Sequence, residues 1–254
     1  MKLRILGCGT SSGVPRIGND WGSCDPADPR NRRLRASALI ETARTRILID
    51  TGPDMREQLL AAGVGDVDAI IWTHDHGDHT HGIDDVRQLM QNRRAPVTGF
   101  ARPLTRAALE ARFGYVFAGT EFYRPTIRIA DLPDRLTIGD LSISVVDQPH
   151  GAITSAGLRF GQGSRSIVYS TDFHDLSDEM ASMFEGTDIW VLDALRREPH
   201  PSHAHLSAAL AFIERVAPRR AVLTHMDNSM DYRTLCDTLP PVVEPGYDGM
   251  ELTP

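Results

Sequence analysis

A run of metal-ligand residue types directly after a short apolar segment is the feature that most constrains this chain. Residues 69–72, Ala-Ile-Ile-Trp, predict a buried strand, and His74, His76, Asp78 and His79 follow it closely. In α/β folds, ligands bind at the carboxyl ends of such strands. A histidine-rich polar loop without a ligand is the alternative, and the close clustering of imidazoles with a carboxylate disfavours it. The sequence therefore predicts an α/β fold with a metal-binding loop at a strand end.

The spacing within this loop indicates two metal ions. His74 and His76 project to one side of an extended segment, and Gly77 allows the backbone to bend so that Asp78 and His79 face a second ion. Imidazole nitrogens and carboxylate oxygens without a thiolate suit zinc, manganese or iron rather than a structural zinc. We therefore expect two divalent metal ions per chain, Zn or Mn.

Two ions need more ligands than one loop supplies, and three candidates follow other strand-like runs. They are His150, Asp172 and His225. Any one of them alone is as well explained as a surface or hydrogen-bonded core residue. Their repeated placement after apolar runs favours a common site.

Strand-like and helical patterns interleave along the chain. A helix is predicted over 54–62, closed by Gly63, and a second one around Leu206, Leu210, Ile213 and Val216, ending before Pro218. Several strands follow one another through short turns, so mixed sheets covered by helices fit better than a parallel doubly wound sheet. We expect one domain over residues 1–254. The predicted strands are 3–6, 38–40, 46–49, 69–72, 141–146, 166–169, 189–192 and 221–223.

The segment 92–133 has the least regular pattern of the chain. It contains Pro96, Pro103, Gly114, Gly119 and Pro125, which are typical of turns and loops. The sequence thus predicts an irregular segment here, such as a lid or a substrate-facing insertion.

Bulk composition excludes several function classes. The formal charge of -7 gives no strong nucleic-acid signal, and no apolar tract approaches a membrane span. Cys8, Cys24 and Cys236 are scattered, which argues against a disulfide framework. With no signal-peptide pattern at the N-terminus, we expect a cytoplasmic protein. A homodimer is compatible with the sequence.

The motif His-x-His-x-Asp-His at 74–79, with His150, Asp172 and His225 downstream, resembles the metallo-β-lactamase fold superfamily along the whole chain. That resemblance implies a four-layer αββα sandwich, which accommodates the mixed order of strands and helices. It also implies one ion held by His74, His76 and His150, another held by Asp78, His79 and His225, and Asp172 bridging the two.

Three further stretches resemble the branch that includes the phosphoribosyl cyclic phosphate phosphodiesterase. They are Gly-Cys-Gly-Thr-Ser-Ser-Gly-Val-Pro at 7–15, Pro-His-Pro-Ser-His at 199–203, and Leu-Thr-His-Met at 223–226 with Tyr-Asp-Gly at 247–249. That enzyme also carries a structural zinc on clustered cysteines and a later histidine. Here only Cys24 remains in the region, and Asn228 stands where the histidine is expected. We therefore predict no structural zinc.

The implied chemistry is hydrolysis of a small, nucleotide-like or cyclic phosphodiester by a metal-bridging hydroxide. We expect Asp78 and His203 to be the catalytic residues, because the resemblance gives His203 the role of proton donor to the leaving alkoxide. A solvent-exposed loop histidine is the alternative for His203. Direct roles for His200 and His205 are less favoured, and His81 and His174 less still.

Three features leave a functional and a structural interpretation open. Asp50 either supports the metal loop, as the resemblance implies, or caps a turn. The basic residues Arg30, Arg32, Arg33 and Arg35 form either a solvated face, which is favoured, or a grip for phosphate or RNA. Gly7, Gly9 and Gly13 lack the spacing of known phosphate loops and favour a tight turn.

Competing functions share the fold but differ in substrate. A tRNA 3′-end processing endonuclease usually carries a long basic or Gly-rich arm, which is not evident here. A non-catalytic nucleotide-binding module is disfavoured by the complete set of ligand residues. β-Lactamase and thioester hydrolase activities are chemically compatible with the site but have no specific support in the sequence.

Overall fold

The computed structural model describes residues 1–254, whose strands form two seven-stranded mixed sheets. The first sheet has the order β14-β1-β2-β3-β4-β5-β6. Strands β3 to β6 run parallel to one another, whereas β1, β2 and β14 are added antiparallel. Its strands are β1 (Lys2–Gly7), β2 (Ser37–Glu41), β3 (Arg46–Ile49), β4 (Ala69–Trp72), β5 (Val97–Ala101), β6 (Ile127–Asp131) and β14 (Glu251–Leu252).

The second sheet repeats this plan, with the order β13-β12-β11-β10-β9-β8-β7. Strands β7 to β10 pair antiparallel, and β10 to β13 pair parallel. Its strands are β7 (Arg135–Ile138), β8 (Leu141–His150), β9 (Ile153–Gln162), β10 (Arg165–Ser170), β11 (Ile189–Asp193), β12 (Arg220–Thr224) and β13 (Val243–Pro245).

Seven α-helices connect and cover these sheets. Most are short. Three of them, α5, α6 and α7, have a side-chain cap at the N-terminus; at α5 the Ser177 side chain accepts from the Met180 backbone N–H. The helices are α1 (Met55–Ala62), α2 (Gly77–Thr80), α3 (Val86–Arg93), α4 (Pro103–Ala118), α5 (Asp178–Phe184), α6 (Leu206–Val216) and α7 (Tyr232–Thr238).

Burial divides the molecule into four layers. Alternate residues of each strand face opposite sides, so the first sheet presents one apolar face to α1, α3 and α4, where Leu59, Leu89 and Leu109 pack against Leu48 and Trp72. Its other face joins the core of the second sheet, whose far side is covered by α5 and α6. The expected four-layer αββα sandwich is therefore confirmed.

The eight strands predicted from sequence are all present, as are helices α1 and α6. The prediction of an irregular segment over 92–133 is wrong, because the segment contains β5, α4 and β6. Pro103 occupies the first turn of α4, where a missing N–H costs no hydrogen bond, and Gly119 caps its end. The proline and glycine marked helix boundaries, not a loop.

The carboxyl ends of six strands lie at one shared edge of the two sheets; the strands are β3, β4, β8, β10, β11 and β12. The glycine-rich segment at 7–13 forms a turn near this edge, as predicted: the Gly13 N–H donates to Thr10 O, and Gly13 adopts φ +65°. A Cβ at Gly7 would lie 2.1 Å from Arg35 O, so only glycine permits that close approach. None of the helices has the length and apolar character needed to cross a membrane.

Candidate metal centre

The predicted ligands come together where strands of both sheets end. His74 follows β4 of the first sheet, and His150 is the last residue of β8 in the second sheet. Asp172 and His225 lie just beyond β10 and β12. All four side chains are buried. The fold thus unites residues that are far apart in sequence.

The remaining ligands lie on or beside α2. His76 is the N-cap residue of this helix, and Asp78 and His79 occupy its first turn. The expected bend at Gly77 is therefore the start of a short helix: the chain turns towards the second group of ligands by becoming helical. His76 is exposed, whereas His79 is buried.

The ligand atoms form two groups with the composition that the resemblance implies. His74, His76, His150 and Asp172 make one group, and Asp78, His79 and His225 make the other; within each, one ligand atom per residue lies within 4.8 Å of all the others. Asp172 lies between them. Its Oδ1 is 3.7 Å from both His74 Nε2 and His150 Nε2, and 3.4 Å from His225 Nε2.

The donor atoms have the separation that shared divalent ions require. Ligand atoms at about 2.0–2.2 Å from a tetrahedral ion lie about 3.3–3.6 Å apart. His79 Nε2 lies 3.4 Å from Asp78 Oδ2 and 3.2 Å from Asp172 Oδ2, and His225 Nε2 lies 3.5 Å from Asp78 Oδ2. The residues present therefore fit divalent metal ions.

Unpartnered nitrogens inside the cluster give an independent test of this fit. The Nε2 atoms of His74, His79 and His225 are buried and have no hydrogen-bond partner. Buried polar atoms of native proteins nearly always have a partner, so a cluster of exceptions needs an explanation. A metal ion bound to these nitrogens supplies one.

In His79 and His150, a hydrogen bond to Nδ1 directs Nε2 at the cluster. His79 Nδ1 lies 2.7 Å from Asp50 Oδ2, and His150 Nδ1 lies 2.8 Å from Ser202 O. Asp50 also accepts from the backbone N–H and the hydroxyl of Thr73, which precedes His74. Such partners fix the tautomer and orientation of metal-binding histidines. Asp50 thus contacts the metal loop at both ends.

Left-handed backbone recurs around the cluster. Asp50, Asp172 and His225 adopt φ of 64°, 56° and 59°. For non-glycine residues this conformation is strained, and such strain is concentrated at functional sites. Each of these residues follows a strand end, where its left-handed backbone turns the chain out of the extended conformation.

The carboxylates and imidazoles of the cluster shift one another's pKa. Burial raises the pKa of Asp78 and of Asp172, but the neighbouring histidines lower both more, and the net shifts are downward. Burial lowers the pKa of His225, yet Asp172 and Asp78 raise it to about 9. The pKa of His79 is likewise raised by Asp172 and Asp78 against the effect of burial. The carboxylates thus favour the protonated imidazoles, so protons and metal ions compete for the same nitrogens.

His203 lies at the same edge of the sheets, with its ring beside those of His150 and His225. Its ring centroid is 4.7 Å from those of both His150 and His225, and its Nε2 is 3.8 Å from Asp172 Oδ1. Its Nδ1 lies 2.7 Å from Asp193 Oδ2. The alternative of a solvent-exposed loop histidine does not hold. Its Nε2 also falls within ligand range together with Asp172 and His225.

Asp193 is the residue that the sequence did not reveal. It ends β11, is fully buried, and orients His203 as Asp50 orients His79. The signal was an aspartate at the end of the apolar run 189–192, the same pattern that marked Asp50. Only the tertiary structure shows which histidine it contacts.

The other histidines have structural contacts. His205 Nδ1 accepts from the Ala208 N–H and so caps α6. His81 packs against Phe113, and His174 Nδ1 accepts from the Gly151 N–H. His200 lies 5.1 Å from His203, ring to ring. Of these four, only His200 is beside the catalytic candidates.

The interpretation of the arginine cluster as a solvated face is wrong for Arg33. Its side chain is buried and donates to the carbonyls of Asp227 and Met230, which ties the N-terminal segment to the chain after β12. Arg35 pairs with Asp54, and Arg30 with Asp28. These guanidinium groups are engaged within the protein.

Comparison with known proteins identifies the class. The beta-lactamase superfamily domain matches residues 45–226, so the chain belongs to this superfamily. It is a metallohydrolase of the metallo-β-lactamase fold, as expected. The octanoyltransferase of Porphyromonas gingivalis is 32% identical over 99% of this chain and 51% of its own length. The exodeoxyribonuclease WalJ of Streptococcus pneumoniae is 28% identical over 62% of this chain and 57% of its own length. The chain thus spans about half the length of the curated relatives it matches.

Solved structures place the chain in a branch of this superfamily. A new diphosphatase from the PhnP family superposes with a TM-score of 0.91 at 34% identity, over 99% of this chain and 96% of that one. Zn²⁺-bound PqqB from Methylobacterium extorquens shares the fold, with a TM-score of 0.80 at 16% identity over the full length of both. The chain is therefore a metal-dependent hydrolase of the PhnP-like branch.

Proposed function

We propose that this chain is a dinuclear metal-dependent phosphodiesterase acting on a small, nucleotide-like or cyclic phosphodiester. The observation that carries the proposal is the position of His203. It faces the junction of the two ligand groups with Asp193 behind it, so a proton donor stands next to the metal centre. Hydrolysis of an alkyl phosphodiester needs such a donor for its leaving alkoxide.

When bound, two divalent ions, Zn or Mn, supply a hydroxide nucleophile near neutral pH and stabilise the charge that develops on the phosphate oxygens. The chain's part is to hold them: His74, His76 and His150 at one position, Asp78, His79 and His225 at the other, and Asp172 between. Two divalent ions exceed the charge of the carboxylates Asp78 and Asp172, so the site attracts an anion although the formal charge of the chain is -7.

Asp193 and His203 then act as a pair. Asp193 accepts from Nδ1 of His203, which leaves Nε2 to carry the proton that is donated. Asp50 plays the corresponding part on the other side of the site, where it keeps His79 Nε2 directed at the metal position. The proton donor and the metal ligand are thus each oriented by a buried aspartate that contacts the Nδ1 atom of the histidine.

The relatives support cleavage of phosphate esters and anhydrides. A diphosphatase shares the fold over nearly the whole chain, and exodeoxyribonuclease and ribonuclease Z sequences match parts of it. The octanoyltransferase is about twice as long as the chain that it matches, so its name does not assign acyl transfer to this chain. The fold alone also accommodates thioester and β-lactam hydrolysis.

A substrate panel tests the proposal. Metal-loaded protein is assayed on bis-p-nitrophenyl phosphate, 2′,3′-cyclic nucleotides, phosphoribosyl cyclic phosphate, pre-tRNA, a β-lactam and a thioester. We expect the small phosphodiesters to have the highest kcat/KM. A preference for pre-tRNA would instead assign tRNA 3′-end processing, and negligible phosphodiester cleavage with metals bound would refute the proposed function.

A further inference from the structure

Helix α4 contacts the metal loop at the point where the helix is kinked. The helix is interrupted at Phe113, whose φ of −123° and ψ of 32° are not helical. The residue before it, Arg112, donates to both the backbone carbonyl and the carboxylate of Asp75. The Phe113 ring packs edge-on against His81, with 5.9 Å between ring centroids. Two adjacent residues of α4 thus contact the loop near both of its ends.

Asp75 lies between two members of the first ligand group, His74 and His76, in a stretch without regular secondary structure. The hydrogen bonds that Asp75 accepts, through its carbonyl and its side chain, both come from Arg112. The Asp75 carbonyl belongs to the peptide group that joins it to His76. A guanidinium fork that holds this carbonyl and the adjacent carboxylate together fixes the orientation of that peptide group.

We propose that Arg112 is a positioning residue for the metal loop, which sets the direction of His76 and the spacing of the first ligand group. His76 is the exposed ligand of that group, whereas His74 and His150 are enclosed by the core. It therefore depends most on an external contact for its orientation. This role rests on the proposed dinuclear centre, and it concerns only the ion held by the first group.

Chelator competition on zinc-loaded protein tests this role, with Arg106→Ala as the matched control. Arg106 lies on the same helix and pairs with the exposed carboxylates of Glu110 and Asp131, away from the metal loop. We expect Arg112→Ala to release one of its two ions to the chelator about tenfold more readily than wild type, because residues that orient ligands typically contribute this much. The second ion, and both ions of Arg106→Ala, should be released as in wild type.

Two further variants separate positioning from a loss of fold. Arg112→Lys keeps the charge but lacks the planar fork that holds two oxygens in a fixed geometry, so it should restore the affinity only in part. Asp75→Asn combined with Arg112→Ala should weaken the first ion little more than Arg112→Ala alone, because both changes remove the same contact. The unfolding temperatures of metal-free Arg112→Ala and Arg106→Ala should agree.

The outcomes distinguish this role from the metal centre itself. Two ions in wild type, with Arg112→Ala releasing both like Arg106→Ala, would overturn the role of Arg112 and leave the centre intact. Fewer than two ions in fully loaded wild type would overturn the dinuclear centre, and the role of Arg112 with it.

Discussion

The two sheets contribute to the candidate centre in different ways, although in both the four strands from one edge pair antiparallel and the four from the other edge pair parallel. In the first sheet, one short stretch after β4 supplies four ligands, and Asp50 after the neighbouring β3 holds that stretch in place. In the second sheet, four strands each supply one residue: His150, Asp172, Asp193 and His225. The first contribution is local in sequence. The second exists only when the sheet is assembled.

This difference teaches how the site divides its tasks. In the proposed dinuclear centre, the local stretch provides ligands to both ions, because the start of α2 redirects the chain between His76 and Asp78. The assembled edge provides Asp172, which lies between the two ligand groups, and the proposed proton donor His203 with its partner Asp193. Substitutions in the two regions should therefore fail in different ways.

The largest effect is expected at Asp172, whose carboxylate lies beside histidines of both ligand groups. Asp172→Ala removes a carboxylate from both ion positions and leaves several buried histidines without their counter-charge. It should lose most of at least one ion and nearly all hydrolysis. Elemental analysis after metal loading measures this, with exposed Asp147→Ala on β8 as the control. Two ions retained by Asp172→Ala would mean that the residue does not bridge.

His203→Ala should slow the reaction without removing metal. Loss of a proton donor costs about 10²- to 10⁴-fold for an alkyl or cyclic phosphodiester, and much less for a p-nitrophenyl ester, whose leaving group departs without protonation. Asp193→Asn should show the same dependence in weaker form, because it disturbs only the orientation of His203. Equal losses on both leaving groups would exclude the acid role. Loss of an ion would instead make His203 a ligand.

Asp50→Asn should lower the metal affinity, whereas Asp193→Asn should slow the reaction, although both substitutions change a buried carboxylate that orients a histidine. An amide group in place of Asp50 meets three donors with one acceptor oxygen, which allows His79 to carry its proton on Nε2. Metal affinity should fall about 10- to 100-fold. Chelator competition compares the two variants. Equal metal affinity in both would contradict the division between the regions.

The smallest effect is expected at Cys24. None of the clusters able to hold a metal contains a cysteine, and Cys24 Sγ lies 3.8 Å from the guanidinium nitrogen Arg33 Nη1, whose positive charge opposes a cation. Cys24→Ser should leave the metal count unchanged. Loss of one ion per chain on this substitution would reveal the structural zinc that we predict to be missing.

The same contrast explains how much the sequence could predict. The ligands of the metal loop are contiguous and follow a strongly apolar strand, so both their identity and their position were readable. The downstream ligands could be proposed from their places after apolar runs, but their grouping came from the resemblance. The pairing of Asp193 with His203 depends on the path of the segment after β11, which returns to the end of that strand, where the Leu195 N–H donates to Ala204 O; no local pattern encodes this path.

Missed elements follow the same rule. Helix α4 was hidden because Pro103 and Gly119 resemble loop residues until the helix ends are known. Arg33 resembled a solvated charge because its neighbours Arg30 and Arg32 are partly or fully exposed, and the carbonyls that surround it lie near the other end of the chain. For Arg33 the deciding partners, the carbonyls of Asp227 and Met230, are distant in sequence.

The most direct test of the central claim is the number of metal ions that the wild-type protein binds. Purified protein is stripped of metal, loaded separately with zinc and with manganese, freed of unbound ions and measured by elemental analysis. Both sheets contribute ligands to each of the two ion positions, and Asp172 lies between these positions. We therefore predict close to two ions per chain. At most one ion after full loading with either metal would contradict the account.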